Sequence, residues 1–236
     1  MTMRDWILAA GRRVKGDSFS IDQRIPSILL IHFVLRRVMA LTRCLVRGVV
    51  ISLNPRKLIF LGSGVELRNR RMIRFGHSVT IGRGAILDGL AEEGLELGNG
   101  VTIGPYAIVE STGVLSKLGR GCRFGDYSSV GAYSYVGAAG GVWIGCNVIM
   151  GQRVSFHAEN HNYDKIDIPI REQGVNRQGI TIEDDCWVGA GVIFLDGAYV
   201  EKGCVIGAGA VVRGRIPAYS IAVGMPARVI KFRCPT

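Results

Sequence analysis

The six cysteines, Cys44, Cys122, Cys146, Cys186, Cys204 and Cys234, include no Cys-x-x-Cys pair, which removes the usual basis for a zinc ribbon or a thioredoxin-type centre. Proline is scarce, 7 in 236 residues, and no Gly-X-Y period runs through the chain, so a collagen-like rod is excluded. The first residues, Met1-Thr2-Met3-Arg4-Asp5-Trp6, lack the apolar core and small-residue cleavage site of a secretory leader. The expected setting is therefore a reducing cytoplasm with free thiols. Within the N-terminal third the longest uncharged stretch, Ile25 to Leu35, is 11 residues, too short for a bilayer span, which takes about 20. Residues 76–236 are close to neutral, with 14 Lys/Arg against 15 Asp/Glu. The overall +10 belongs to residues 1–75, with 15 against 4. Such a split does not suggest a nucleic-acid binder, and any anionic partner should meet the N-terminal third.

Glycine is what the chain has in excess, 33 residues, about twice ordinary usage. With 48% hydrophobic and 20% charged residues the chain is not disordered, so the glycines point to frequent tight corners in a repeat. Aligning on a large apolar residue, often followed by Gly, gives a period of six. The runs are Ile81; Leu97, Ile103, Val109; Leu118, Phe124, Val130, Val136; Ile144, Met150, Phe156; and Ile182, Val188, Phe194, Val200, Ile206, Val212. Four residues after thirteen of these stands a residue that is neither long nor charged: Ala85, Val101, Ala107, Cys122, Ser128, Ser134, Val148, Val154, Cys186, Val192, Ala198, Cys204 and Ala210. One large and one small inward residue per six suits a narrow prism. A helix would instead need apolar residues at i, i+3, i+4 and i+7, and would lose about 1 kcal/mol per Gly. The period predicts an all-β parallel solenoid, with Cys122, Cys186 and Cys204 as small inward hydrophobes.

The register fails in three places: by three residues between Val109 and Leu118, by two between Val136 and Ile144, and over the whole stretch from Phe156 to Ile182. The last is an extruded loop, roughly 157–179, carrying His157 and His161. A loop of roughly 20 residues inside a repeat is more often functional than not. The N-terminal third reads differently. From Pro26, placed in a first turn, to Val50, the chain suits a helix with Arg36, Arg43 and Arg47 on one stripe, ended by Asn54-Pro55. Two roles stand open for it: peripheral contact of residues 25–50 with an anionic membrane surface, or a cap on the open end of the solenoid. The expected division is a basic helical region over 1–55, the solenoid over 56–217, and a tail over 218–236.

The stretch from Ile144 to Lys231 resembles the hexapeptide-repeat acyltransferases with a left-handed β-helix, nearest the maltose/galactoside O-acetyltransferase-like branch that includes polysaccharide O-acetyltransferases. The resemblance rests on Glu159-Asn160-His161-Asn162-Tyr163, Cys186-Trp187-Val188-Gly189-Ala190, Val205-Ile206-Gly207-Ala208-Gly209-Ala210 and Val223-Gly224-Met225-Pro226-Ala227-Arg228. It covers about the last 90 residues closely and 60–143 by repeat type only. It implies the left hand, a homotrimer, and acetyl-CoA in a cleft between two subunits, with no metal. It also implies His161 as the catalytic base, with His157 as competitor. The coenzyme contacts carry over to Ala190, Ala208, Arg228 and Lys231; where relatives often carry Thr-Lys, Arg213-Gly214 stands here, and Arg213 is the expected substitute. No Asn stands at Tyr133 or Ser134, where the galactoside enzymes have one, so a simple galactoside or maltose is not the expected acceptor. The function implied is acetyl-CoA-dependent O-acetylation of a glycan, a bacterial surface polysaccharide or its precursor. The alternatives are N-acetylation of a nucleotide-linked amino sugar and a scaffold without chemistry.

Overall fold

The structure is a computed structural model, describing residues 3–15, 20–48, 58–114 and 116–233. From Ile59 onward, strands of two to four residues wind into three parallel sheets, here A, B and C, stacked as a left-handed β-helix. Sheet A begins with Ile59–Leu61 and Val79–Ile81, sheet B with Glu66–Arg68 and Ile86–Asp88, sheet C with Ile73–Phe75 and Leu95–Leu97. Each strand pairs with the equivalent one a full coil later, as in Val130↔Ile103 and Val188↔Ile206. In the uninterrupted coils the partner lies 18 residues on, three hexapeptides, as Phe194↔Val212 shows. The strand Ser220–Val223 is still a rung of sheet A, and Arg228–Phe232 closes that sheet as an antiparallel edge.

All thirteen small residues are buried, and the large residues of the register fill the interior, with Phe156 stacked on Phe194 at 4.7 Å between ring centres. Burial pushes the Cys122 thiol well above its ordinary pKa, so it stays an unionised packing group. Leu118 is the exception in the register. It is 40% exposed, because 111–121 leaves the wall as a loop and the inward series resumes only at Cys122 and Phe124. The interval to be counted is therefore Val109 to Phe124, fifteen residues rather than nine.

The glycines that follow the large residues also differ from expectation. They are not the residues that turn the chain. A Cβ on Gly82 would lie 2.4 Å from the Pro105 nitrogen, and one on Gly104 2.4 Å from the Gly131 carbonyl carbon. These glycines let backbone lie on backbone between coils. The turning is done by left-handed residues at two corners. Gly84, Tyr106 and Tyr133 stack in one column at the corner from A to B, and Gly100 and Tyr127 at the corner from C to A. At the third corner, from B to C, every coil after the first takes its left-handed residue as Gly just before sheet C: Gly94, Gly121, Gly141, Gly179, Gly197 and Gly214.

Helices α1 (Met3–Lys15) and α2 (Ser27–Val46) lie at the N-terminal end of the solenoid. Pro26 is the N-cap residue of α2 rather than part of its first turn, since its ψ of 143° is extended and not helical. Leu30, Ala40 and Cys44 face inward, with Cys44 in the main core. The stripe of arginines is divided. Arg43 Nη1 donates to the Leu61 carbonyl at 3.4 Å and Arg47 Nη1 to that of Val65, so both satisfy backbone of the first coil, while Arg36 stays exposed. That is capping of the open end. The Asn54-Pro55 break and Cys234 lie outside the described residues.

Truncating Phe156 to Ala should cost about 3–5 kcal/mol of stability by chemical unfolding, while Leu118→Ala should stay within about 0.5 kcal/mol. Equal losses for the two would show that the interior is not packed as described.

Candidate functional site

The intervals between successive inward residues place every interruption at one corner. From sheet B to sheet C the steps Leu67 to Phe75, Leu87 to Leu97, Val109 to Phe124, Val136 to Ile144 and Phe156 to Ile182 are each longer than six; Phe194 to Val200 keeps the period, and Val212 to Ile216 is shorter. The corner columns of stacked Tyr and Gly leave no such room at the other two corners. The longest insertion therefore projects beside the outer faces of B and C.

That insertion is a built structure. Asn160–His161 pairs antiparallel with Val175–Asn176, His161 opposite Val175, and a short turn, Ile170–Glu172, closes the far end. Gln173 holds the turn together: its Nε2 donates to the carbonyls of Lys165 at 2.6 Å and Ile168 at 2.8 Å, and its Oε1 accepts from the Lys165 N–H at 3.0 Å. Asn162 Nδ2 donates to the Gln173 carbonyl at 3.0 Å. At the neck, Arg177 Nε donates to Glu159 Oε2 at 2.6 Å and its Nη1 to the Leu118 carbonyl at 2.7 Å, tying the large loop to the smaller one below it. The Asp196 carboxylate, nearly buried, accepts from the backbone N–H of Gln178 and Gly179 where the chain re-enters sheet C.

His161 is exposed on this ribbon, with no side-chain hydrogen bond to another described residue. Among the described residues, then, neither ring nitrogen is engaged. His157 is different: it ends the strand Ser155–His157 on the outer face of sheet B, its ring 5.8 Å from that of Tyr135. The Tyr135 hydroxyl donates to Glu110 Oε1 at 3.0 Å, and burial, helped by that carboxylate, pushes its pKa up to about 12. Glu110, Tyr135 and His157 share the wall beneath the loop. The spacing of six shows none of them as a group, since they meet only across coils. Nor does it show the neck residues Glu159, Arg177 and Asp196, whose partners lie 17 to 59 positions away.

Ala190 and Ala208 stand one coil apart at the corner from A to B, where the Gly209 N–H donates to the Ala190 carbonyl at 2.8 Å. Arg228 joins them, pairing with Val223 at the same end of sheet A, and the Ala227 N–H donates to the Val211 carbonyl at 2.8 Å. Lys231 pairs with Ile221, further back along the same edge strand, on the order of 10 Å away. Arg213 is exposed just beyond Val211–Val212, on the other side of sheet B. Ser134 is buried, its Oγ accepting from the Val154 N–H at 3.1 Å, which makes it part of the wall. Among the described residues no group of three or more His, Cys, Asp or Glu could hold a metal. Within one chain, then, His161 and the trio Ala190, Ala208 and Arg228 sit at different corners of the prism.

Residues 179–214 match the model of the bacterial transferase hexapeptide, six repeats. Over that stretch the chain is similar to hexapeptide-repeat transferases. It is 36% identical over 179 residues to a Mycobacterium tuberculosis protein named as a probable acetyltransferase, covering 75% of this chain and 51% of that protein. It is 30% identical over 125 residues to Escherichia coli WbbJ, whose name describes a lipopolysaccharide biosynthesis O-acetyl transferase, covering 50% and 64%. The chain thus spans about half to two-thirds of the length of these relatives. Among solved structures, a mutant of AntD, an N-acyltransferase from Bacillus cereus, in complex with dTDP-4-amino-4,6-dideoxyglucose and coenzyme A, shares the fold. Its TM-score is 0.52 at 18% identity, over 82% of this chain and 90% of that one.

Replacing Arg177 by Ala removes two charge-assisted bonds at the neck, worth about 1.5 kcal/mol or more each. Limited proteolysis within 160–176 should then speed up by at least roughly tenfold, with the thermal transition of the solenoid little moved. An unchanged cleavage rate would mean that the neck is held by other contacts.

Proposed function

We propose that this chain is an acetyl-CoA-dependent O-acetyltransferase acting on a sugar hydroxyl of a bacterial surface polysaccharide or its precursor. The observation that carries the reading is His161, held on a stapled ribbon with both ring nitrogens unengaged. The acceptor O–H gives its proton to His161 as its oxygen attacks the thioester carbonyl. The tetrahedral adduct then collapses, breaking the C–S bond, and the departing thiolate takes the proton back. Imidazole suits both steps, its unperturbed pKa of about 6.5 lying near working pH. His157, against Tyr135 in the wall, is less free to serve.

Ala190 and Ala208, being small, let the pantetheine arm approach backbone, and Arg228, Lys231 and Arg213 offer cations to the coenzyme phosphates. Their corner is not that of His161, which favours a homotrimer in which one subunit's loop meets the coenzyme held by its neighbour. A hydroxyl acceptor is favoured by the likeness to WbbJ. An amine on a nucleotide-linked sugar would use the same base, and a panel of polysaccharide fragments and amino-sugar nucleotides with acetyl-CoA separates the two.

His161→Ala should lower turnover by roughly 10²–10⁴-fold with coenzyme binding retained. Arg228→Ala should raise the KM for acetyl-CoA with kcat little changed. Mixing the two inactive or weakened variants under subunit exchange should restore part of the activity, because a mixed trimer contains intact clefts. Near-normal turnover in His161→Ala removes the base; failure to complement removes the shared cleft.

A further inference from the structure

Two adjoining cavities lie where α2 crosses the outer face of sheet A, far along the solenoid from the coils that carry Ala190 and Ala208. One, of about 500 Å³, is lined by Arg36, Arg37 and Arg43 of α2 and by Arg83, with Ser63 and Thr80 between them. The other, of about 590 Å³, is walled mainly by apolar side chains of both helices and the sheet, among them Trp6, Ile7, Leu41, Leu58 and Tyr127. They share Phe33, Arg37, Phe60 and Thr80. Among the described residues neither lining contains a carboxylate, and none of the four arginines makes an ion pair with one of them.

Arg37 stands at the junction. Its Nη1 donates to Thr80 Oγ1 at 3.1 Å, its guanidinium lies 4.4 Å over the Phe60 ring, and burial lowers its pKa from the ordinary arginine value. A half-buried cation beside three others, with no counter-charge among the described residues, costs free energy that an anion would recover. Guanidinium forks fit phosphate oxygens in pairs, and the apolar cavity next door fits a hydrocarbon chain and not a sugar. The side of α2 turned away from the solenoid carries Ile28, Ile31, Leu35, Val38 and Val46, all exposed. At 100° per residue these fall within an arc of about 80°, and Arg36 lies about 80° beyond its edge, on the side of the arginine-lined cavity. This arc would lie in the boundary of head groups and acyl chains, bringing the cavities to the lipid.

We propose that this N-terminal surface binds an anionic lipid of a membrane, with the lipid phosphate on Arg36, Arg37, Arg43 and Arg83 and a hydrocarbon chain in the groove between α1, α2 and sheet A. Contact is peripheral: no helix among the described residues is long and apolar enough to cross a bilayer. Capping and lipid binding then divide one helix, Arg47 and Cys44 serving the solenoid end and Arg36 with the apolar arc serving the membrane.

Flotation of the full chain with phosphatidylglycerol-containing vesicles should show binding that weakens with salt, against little binding to phosphatidylcholine alone. The exposed pair Arg36→Glu/Arg83→Glu should reduce it by roughly tenfold or more, and Leu35→Asp/Val38→Asp comparably, both variants keeping the wild-type circular dichroism and melting. Millimolar inorganic phosphate serves as the free-anion arm. Binding of phosphate without vesicle partition overturns the lipid assignment, as does vesicle binding insensitive to both double variants. Dissociation of the oligomer by Leu35→Asp/Val38→Asp, with vesicle binding unchanged, would assign the arc to a second copy of the chain instead. None of these readouts depends on acetyl transfer.

Discussion

Backbone stacked on backbone sets the terms for everything else in this molecule. Adjacent strands of a sheet lie about 4.7–4.9 Å apart, and at the glycines that leave each strand the next coil comes closer than a Cβ permits. Gly82 lies beneath Pro105, Gly104 beneath Gly131, and Gly125 beneath Gly145. Given that spacing, the interior has a fixed cross-section, which is why one large and one small residue alternate on each wall and why Ser or Cys can occupy the small slot. Ser128 shows how the polar case is tolerated: its Oγ donates to the Gly145 carbonyl at 2.6 Å and accepts from the Val148 N–H at 2.9 Å.

The same stacking decides where chemistry can be added. Two corners are closed columns, Tyr106 on Tyr133 at one and Gly100 beneath Tyr127 at the other, so an inserted residue there would part the coils. At the corner from B to C, glycine just before sheet C lets the chain return after an excursion of any length, and five of the seven steps there contain one. The His161 ribbon uses the longest. Its neck is secured by charge rather than apolar packing, through Arg177 with Glu159 and Asp196 with two backbone N–H groups, which suits an arm extended outward with little core of its own. The corner proposed for the coenzyme lies across sheet B, and the surface proposed for lipid at the other end of the prism, so the proposed functions occupy separate parts of one rod.

Much of the solenoid was legible because its physics is local. Thirteen small residues at a fixed offset could be read from the chain, and all thirteen are buried. Leu118 shows where the local pattern fails: it is apolar and precedes a glycine, so it satisfies that pattern, but the wall it would occupy is left by the 111–121 loop. The arginine stripe on α2 was also read from one helix alone. Periodicity aligned Arg36, Arg43 and Arg47, but it could not show that two of them reach carbonyls of the first coil, nor that Arg37, off the stripe, meets Thr80 and Phe60.

The order of residues along the chain was enough for the repeat, the identity of the inward residues, the existence of an extruded histidine loop and the concentration of positive charge before residue 76. Each of these depends on neighbours within a few positions or on composition. Folding in three dimensions was needed for the rest: that every insertion leaves by one corner, that His161 and the Ala190, Ala208 and Arg228 corner are apart within a chain, and that Arg83 joins three helix arginines around a shared cavity. Those are relations between coils. They depend on which turns stack shut and on how the helices lie across the first rungs, and no spacing along the chain encodes them.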